Sequence, residues 1–309
     1  VNKRLNVKIL FLWLLLFPFL AQARQDLALE QIAEGVYVHF APFQFPDRHN
    51  HGEIANIGFI VGEQCVAVID TGGSPAQGRA LKNAILKVTD KPVCYVINTH
   101  VHPDHIYGNS AFKQPGVQFV GHTKLPRAMA TRGQYYLERS EDQLGFALKP
   151  EDIIPPDITV DSFKVIDLGN REIILTAHPT AHTDNDLSVY DKKTDTLWLS
   201  DLLFVTHVPT LDGSLKGWLA EIAKLEKQSY RFVIPGHGPL VTQWPEAIQP
   251  EKRYLQTLLT DIRNSLAKGE YLEQAVKTVG QSEKKRWKLF EKYHYKNVTT
   301  AFAELEWED

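Results

Sequence analysis

Apolar and polar positions alternate in short blocks along most of the chain, and each block ends at a glycine, proline or aspartate. Strict alternation over residues 35–39 predicts a strand. Residues 40–50 hold three phenylalanines between polar residues and two prolines, which predicts a loop with an apolar tip. Residues 54–61 and 65–70 predict two more strands about a Gly62-Glu63 turn. Thr71-Gly72-Gly73-Ser74-Pro75 then opens a helix to about residue 89, with proline suited to its first turn. Residues 93–98 are β-branched and apolar on both faces, as in a buried strand. A short strand at 117–120 and an irregular helix at 122–143 follow, and Pro155-Pro156 marks a connection. Strands are expected again at 158–166, 172–176, 186–190 and 196–200, then a helix at 215–228 and a strand at 231–234. In the helix beginning near Pro245, Tyr254, Leu255, Leu258, Leu259, Ile262 and Leu266 share one face. The last fifty residues predict further helices. Strands and helices thus occur twice over, which suggests two βα layers facing each other.

The N-terminus breaks this pattern. Lys3, Arg4 and Lys8 precede an apolar run at 9–20, and Ala21-Gln22-Ala23 follows. This is the layout of a secretory signal peptide with cleavage after Ala23. The run is short of the roughly 20 residues of a membrane span. Residues 24–309 are then expected to form one soluble domain outside the cytoplasm, periplasmic in a Gram-negative source. The formal charge of −3 gives no field to attract nucleic acid or anionic lipid. Neither partner is expected of the mature chain. Cys65 and Cys94 lie in two strand-like runs and are read either as buried thiols or as a disulfide.

The densest chemistry is Thr99-His100-Val101-His102-Pro103-Asp104-His105, directly after the buried strand at 93–98. Imidazoles and carboxylates are ligands for zinc and similar cations. A loop based on a strand end can aim several of them at one place. No Ser-His-Asp or Cys-His arrangement is evident to compete with this cluster.

The His-x-His-x-Asp-His segment resembles the signature of the metallo-β-lactamase superfamily. Further stretches match it in order: Ile69-Asp70-Thr71-Gly72, His182-Thr183-Asp184-Asn185-Asp186, Ser200-Asp201-Leu202 and Pro235-Gly236-His237-Gly238. The resemblance implies a four-layer αββα sandwich with two divalent ions, zinc or iron, at the open edge between the sheets. One ion would be held by His100, His102 and His182, the other by Asp104, His105 and His237, with Asp201 between them. Asp70 would orient ligands through hydrogen bonds. His178 would stay outside the ligand set. Asp104 and His207 are the candidates for catalysis. His49, His51, His122 and His294 are expected at the surface. The implied activity is metal-dependent hydrolysis of a small ester, thioester, lactone or lactam.

Residues 54–61, 102–109, 182–186 and 211–218 are similar to a narrower group, the exported quinoprotein relay system zinc metallohydrolases. That similarity leaves open a metal-bearing accessory protein with a periplasmic redox partner, and an iron-dependent sulfur dioxygenase. The loop with Phe40, Phe43 and Phe45 is expected to cover the cleft and seat apolar substrate.

Overall fold

A computed structural model describes residues 27–308. The signal-peptide assignment to residues 1–23 lies outside them. Among the described residues no helix is long and apolar enough to cross a membrane.

The first sheet takes its strands in chain order: β1 (Glu30–Ala33), β2 (Val36–His39), β3 (Ile57–Val61), β4 (Val66–Ile69), β5 (Val93–Ile97), β6 (Gln118–His122) and β7 (Ile158–Val160). Strands β1 to β4 pair antiparallel, and β4 to β7 parallel. Helix α1 (Pro75–Val88) makes the crossover from β4 to β5. Ser74 caps it by accepting the Gln77 N–H, and Pro75 stands where the first-turn N–H is not needed. A short turn, α2 (Pro103–Ile106), follows β5, and α3 (Leu125–Leu144) follows β6. The expected breaks in α3 do not occur. It runs unbroken to Gly145, whose left-handed conformation ends it.

The second sheet holds β8 (Phe163–Asp167), β9 (Glu172–Ala177), β10 (Leu187–Asp191), β11 (Thr196–Phe204) and β12 (Phe232–His237), in the order β12-β11-β10-β9-β8. Helices α4 (Leu215–Leu225), α5 (Gln249–Ala267), α6 (Leu272–Thr278) and α7 (Phe290–Leu305) complete the chain.

Three apolar clusters define the layers. Val36, Ile69, Ile97 and Val120 from the first sheet meet Leu175, Val189, Trp198 and Ile234 from the second. Leu81 and Ile85 of α1 pack on Val66, Val68 and Val96, the other face of the first sheet. Trp218 and Ile222 of α4, Leu258 of α5 and Phe302 of α7 cover Leu197, Leu199 and Val233 of the second. The architecture is therefore helix, sheet, sheet, helix. Strands β4 and β11 are buried along their whole length, which accounts for the apolar run of β4 and encloses Ser200 and Asp201 within β11.

Two further expectations are corrected, and one strand was not expected. Residues 158–166 are two strands in different sheets, because the chain turns at Asp161-Ser162. The strand at 196–200 extends to Phe204, so Asp201 lies inside β11 instead of at its end. The polar β1 escaped the pattern reading because its residues are exposed or half-buried. Cys65 and Cys94 are disulfide-bonded, with Cα atoms 5.8 Å apart, and tie neighbouring β4 and β5 together.

Candidate metal centre

Strand ends, the loops that follow them and the interior of β11 deliver seven side chains to one place. His100 and His102 follow β5, and α2 carries Asp104 and His105. His182 sits in the loop between β9 and β10, which closes where Asp186 accepts the Thr183 N–H and hydroxyl. Asp201 projects from β11 beside Ser200, where the register with β12 slips and the Ser200 φ is +50°. His237 ends β12. Their donor atoms form two groups: His100, His102, His182 and Asp201, and Asp104, His105 and His237. Within each group, one donor atom per residue lies within 4.8 Å of the others.

Asp201 stands between the groups. One of its oxygens is 3.2 Å from His105 Nε2; the other is 3.4 Å from His182 Nε2 and 3.5 Å from His237 Nε2. Asp104 approaches His237 Nε2 to 3.3 Å. This approach of the chains depends on Gly236, where a Cβ would overlap Asp201 Oδ1.

Every histidine of the set uses its outer nitrogen to bond the protein. His100 Nδ1 donates to the Thr99 hydroxyl, His105 Nδ1 to Asp70, His182 Nδ1 to the Thr210 carbonyl and His237 Nδ1 to the Ile54 carbonyl. His102 is turned the other way, with Nε2 bonded to Asp212 at 2.9 Å. In the neutral form of each ring these acceptors fix the tautomer that leaves the lone pair on the inner nitrogen. The inner nitrogens of His102 and His182 face each other at 3.0 Å, an arrangement that a shared cation relieves. His100 Nε2, His105 Nε2 and Asp201 Oδ1 are buried without a hydrogen-bond partner. Unpartnered buried polar atoms are costly. Oriented imidazoles, two carboxylates and orphaned donor atoms fit divalent cations, and these residues could hold two of them.

The electrostatics agree. Burial holds the His182 imidazolium down to about 3 and pushes His100 well down, so both are neutral and available as ligands. Burial opposes protonation of His237 as well, but Asp201 and Asp104 outweigh it and raise it to about 9. The carboxylates thus create a strong demand for positive charge.

Asp70 has a left-handed backbone, φ +54°, and is fully buried. It accepts from Thr99 N, Thr99 Oγ1 and His105 Nδ1, at 2.8, 2.7 and 2.7 Å. It therefore locks the base of the histidine loop and one imidazole together. Asp212 was not singled out in the sequence. It bonds His102 and is held in turn by Arg132 at 2.6 Å and Lys296 at 3.3 Å. Burial opposes its ionisation, but His102, Lys296 and Arg132 hold its carboxyl well below the ordinary range. The one signal for it was its place in the 211–218 stretch.

A cleft of about 220 Å³ opens onto the centre and is lined by His102, Asp104, Asp201 and His237. His207 also lines it. Its Nδ1 donates to the Val208 carbonyl at 2.6 Å, while its buried Nε2 has no partner. Tyr107, Tyr135, Tyr136 and Tyr293 make much of the wall, and Arg139 lies over the Tyr135 ring. The phenylalanine loop is placed differently from expectation. Phe40 packs into the inter-sheet core, Lys288 lies over Phe43, and Phe45 packs on Tyr293. Of this loop it is Pro46 that reaches the cleft.

His178 is outside both groups. His49 and His51 are exposed, whereas His122 and His294 are buried, contrary to expectation. His122 accepts the Lys124 N–H, and His294 bridges the Val279 carbonyl and the Tyr254 hydroxyl.

A two-sheet sandwich with histidines and aspartates gathered at its open edge defines a class of metal-binding hydrolase-like folds. The model of the metallo-beta-lactamase superfamily matches residues 52–237, and the chain belongs to that superfamily. A linear primary-alkylsulfatase from a Pseudomonas sp. strain is 27% identical over 214 residues, 57% of this chain and 40% of the relative. The match thus spans well under half of that enzyme's length. Among solved structures, a metallo-beta-lactamase from Pontibacter korlensis aligns with a TM-score of 0.60 and 21% identity, over 75% of this chain and 99% of its own. The stereoselective inverting sec-alkylsulfatase Pisa1 from Pseudomonas sp. aligns with a TM-score of 0.65 and 16% identity, over 81% of this chain and 45% of its own. These two likenesses concern the fold.

Proposed function

We propose that this protein is an exported hydrolase using two zinc ions, held by His100, His102, His182 and by Asp104, His105, His237 with Asp201 between, against a small ester, thioester, lactone or lactam. The observation that carries this reading is the set of five histidines with outer nitrogens bonded and inner nitrogens turned on Asp201. When bound, such a pair of ions supplies an acidified water and stabilises developing negative charge. Asp104, at the cleft wall, holds or receives the proton of the attacking water. His207, which lines the cleft with its buried Nε2 unpartnered, contacts substrate. The tyrosines exclude bulk water and seat the apolar part of the substrate. The low exposure of the donor set fits catalysis better than a carrier role, since a carrier has no use for a tyrosine-walled cleft.

The stretches similar to the quinoprotein relay metallohydrolases support membership of that group, a periplasmic or secreted location and a redox-protein neighbour. A second reading, a sulfate ester of an apolar alcohol, is favoured by two observations. One is the alkylsulfatase relative. The other is Arg139, which lines the aromatic cleft and lies over the Tyr135 ring.

The test is elemental analysis of the purified chain, followed by assay of lactams, lactones, thioesters and alkyl sulfates. Two equivalents of zinc and turnover on one of these classes, lost on chelation, are expected. A metal-free protein indifferent to added zinc would end the reading, and a single tightly held iron would point to the dioxygenase instead.

A further inference from the structure

The outer face of the second sheet carries a second cluster with chemistry of its own. His178 Nε2 lies 2.8 Å from Ser188 Oγ, and His178 Nδ1 lies 3.2 Å from Glu221 Oε2. The direction of these bonds follows from the carboxylate. Burial raises the Glu221 carboxyl, but bonds from His178 and Lys224 outweigh this and hold it ionised. An ionised carboxylate only accepts, so Nδ1 donates to Glu221 and, in that Nδ1–H tautomer, Nε2 accepts from the Ser188 hydroxyl. This is the polarity a serine nucleophile requires: hydroxyl to imidazole, imidazole to carboxylate. No such arrangement was evident in the sequence, because the three residues come from the end of β9, from β10 and from α4.

Their surroundings suit acyl transfer. All three line one groove of about 550 Å³ between α4 and the sheet. Ser188, His178 and Glu221 are only 3%, 6% and 5% exposed, so the groove reaches them at its wall while the network is otherwise shielded from solvent. Leu187 and Val189 point into the inter-sheet core, so Ser188 faces the opposite side. Pairing places Ser188, Thr176 and Phe163 in one row across three strands, and Tyr190, Ile174 and Val165 in the next. Phe163 and Val165 are 69% and 48% exposed, an uncovered apolar strip leading away from the hydroxyl. Gln228 and Ser229 line the groove too and bring polar side chains to it.

We propose that Ser188, His178 and Glu221 form a second, metal-independent site that hydrolyses carboxylic esters with an apolar acyl chain. Ser188 Oγ attacks the carbonyl carbon while its proton passes to His178 Nε2. The ester C–O bond breaks, and the alcohol departs with that proton. Water then attacks the acyl-serine and gives a proton to His178. That proton returns to Ser188 as the carboxylic acid leaves.

The experiment is covalent labelling of the purified, metal-containing protein with diisopropyl fluorophosphate, with peptide mass mapping and with p-nitrophenyl butyrate hydrolysis as the parallel readout. An adduct on Ser188 is expected, with hydrolysis that survives chelation and is lost in Ser188→Ala. In His178→Gln both rates should fall about 100-fold or more, the usual worth of a positioned base. If His178→Gln melts early, Glu221→Gln, which keeps shape and hydrogen bonding, reads the same effect. An unlabelled Ser188 in folded protein, or equal labelling rates in Glu221→Gln and wild type, would overturn the proposal.

Discussion

A β-carbon built on Gly236 would sit 1.8 Å from Oδ1 of Asp201, so the carboxylate between the two donor groups occupies space that only glycine leaves free. The obstacle is backbone-borne and cannot swing aside. Gly236→Ala is therefore expected to displace Asp201 and to leave the protein folded with fewer than two metal equivalents. Elemental analysis beside far-ultraviolet circular dichroism checks this; full metal content in the variant would contradict it.

His102 owes its orientation to Asp212, which in turn is bonded to Arg132 and Lys296. Asp212→Ala should weaken metal binding by about 10–100-fold, the common effect of losing such a support. Competition with a fluorescent chelator measures it. His102→Ala is the reference, since it removes the ligand itself.

The His207 ring lies 5.1 Å from that of His237, and the residue lines the cleft with its buried Nε2 unpartnered. His207→Gln is expected to lower kcat about 100-fold while metal content stays at the wild-type level. A proportional loss of metal would instead make His207 part of the donor set.

The donor groups join strand ends from both sheets, and ions bound there hold native but not unfolded chain together. Chelation should lower the melting temperature, and added zinc should restore it, with a rise that follows the logarithm of its free concentration. Calorimetry with and without chelator decides the matter.

Among the C-terminal helices, buried Glu283 accepts two bonds from Arg253 and one from Trp287 Nε1, each 3.0 Å. Burial raises its carboxyl, but these bonds outweigh that and hold it below 4.5. A lowered folded-state value means stability that is present above pH 4.5 and lost as pH falls through the lowered value. Glu283→Gln should accordingly melt below wild type near neutral pH, with the gap closing in acid. A gap independent of pH would count against this.

Much of this was legible in the chain because the metal-type residues follow strands whose apolar runs are unmistakable. His100 to His105 come directly off β5, and His237 closes β12. What pattern could not show was which sheet a strand joins. Residues 158–166 read as one strand because hydrophobicity carries across the turn at Asp161-Ser162, although pairing does not. Contacts between distant segments were hidden for the same reason. Asp212 on His102, Glu221 on His178 and Tyr254 on His294 depend on partners that sequence spacing does not bring near. The phenylalanine loop misled in another way. Its rings suggested a substrate cover, but cationic and aromatic neighbours on and beside α7 take up two of them.

The bond between Cys65 and Cys94 spans 29 positions and closes β4, α1 and the start of β5 into a covalent ring. A protease that cut within that excursion would linearise the ring without releasing a fragment. The nicked chain would run whole on a non-reducing gel and split in two only after a thiol is added.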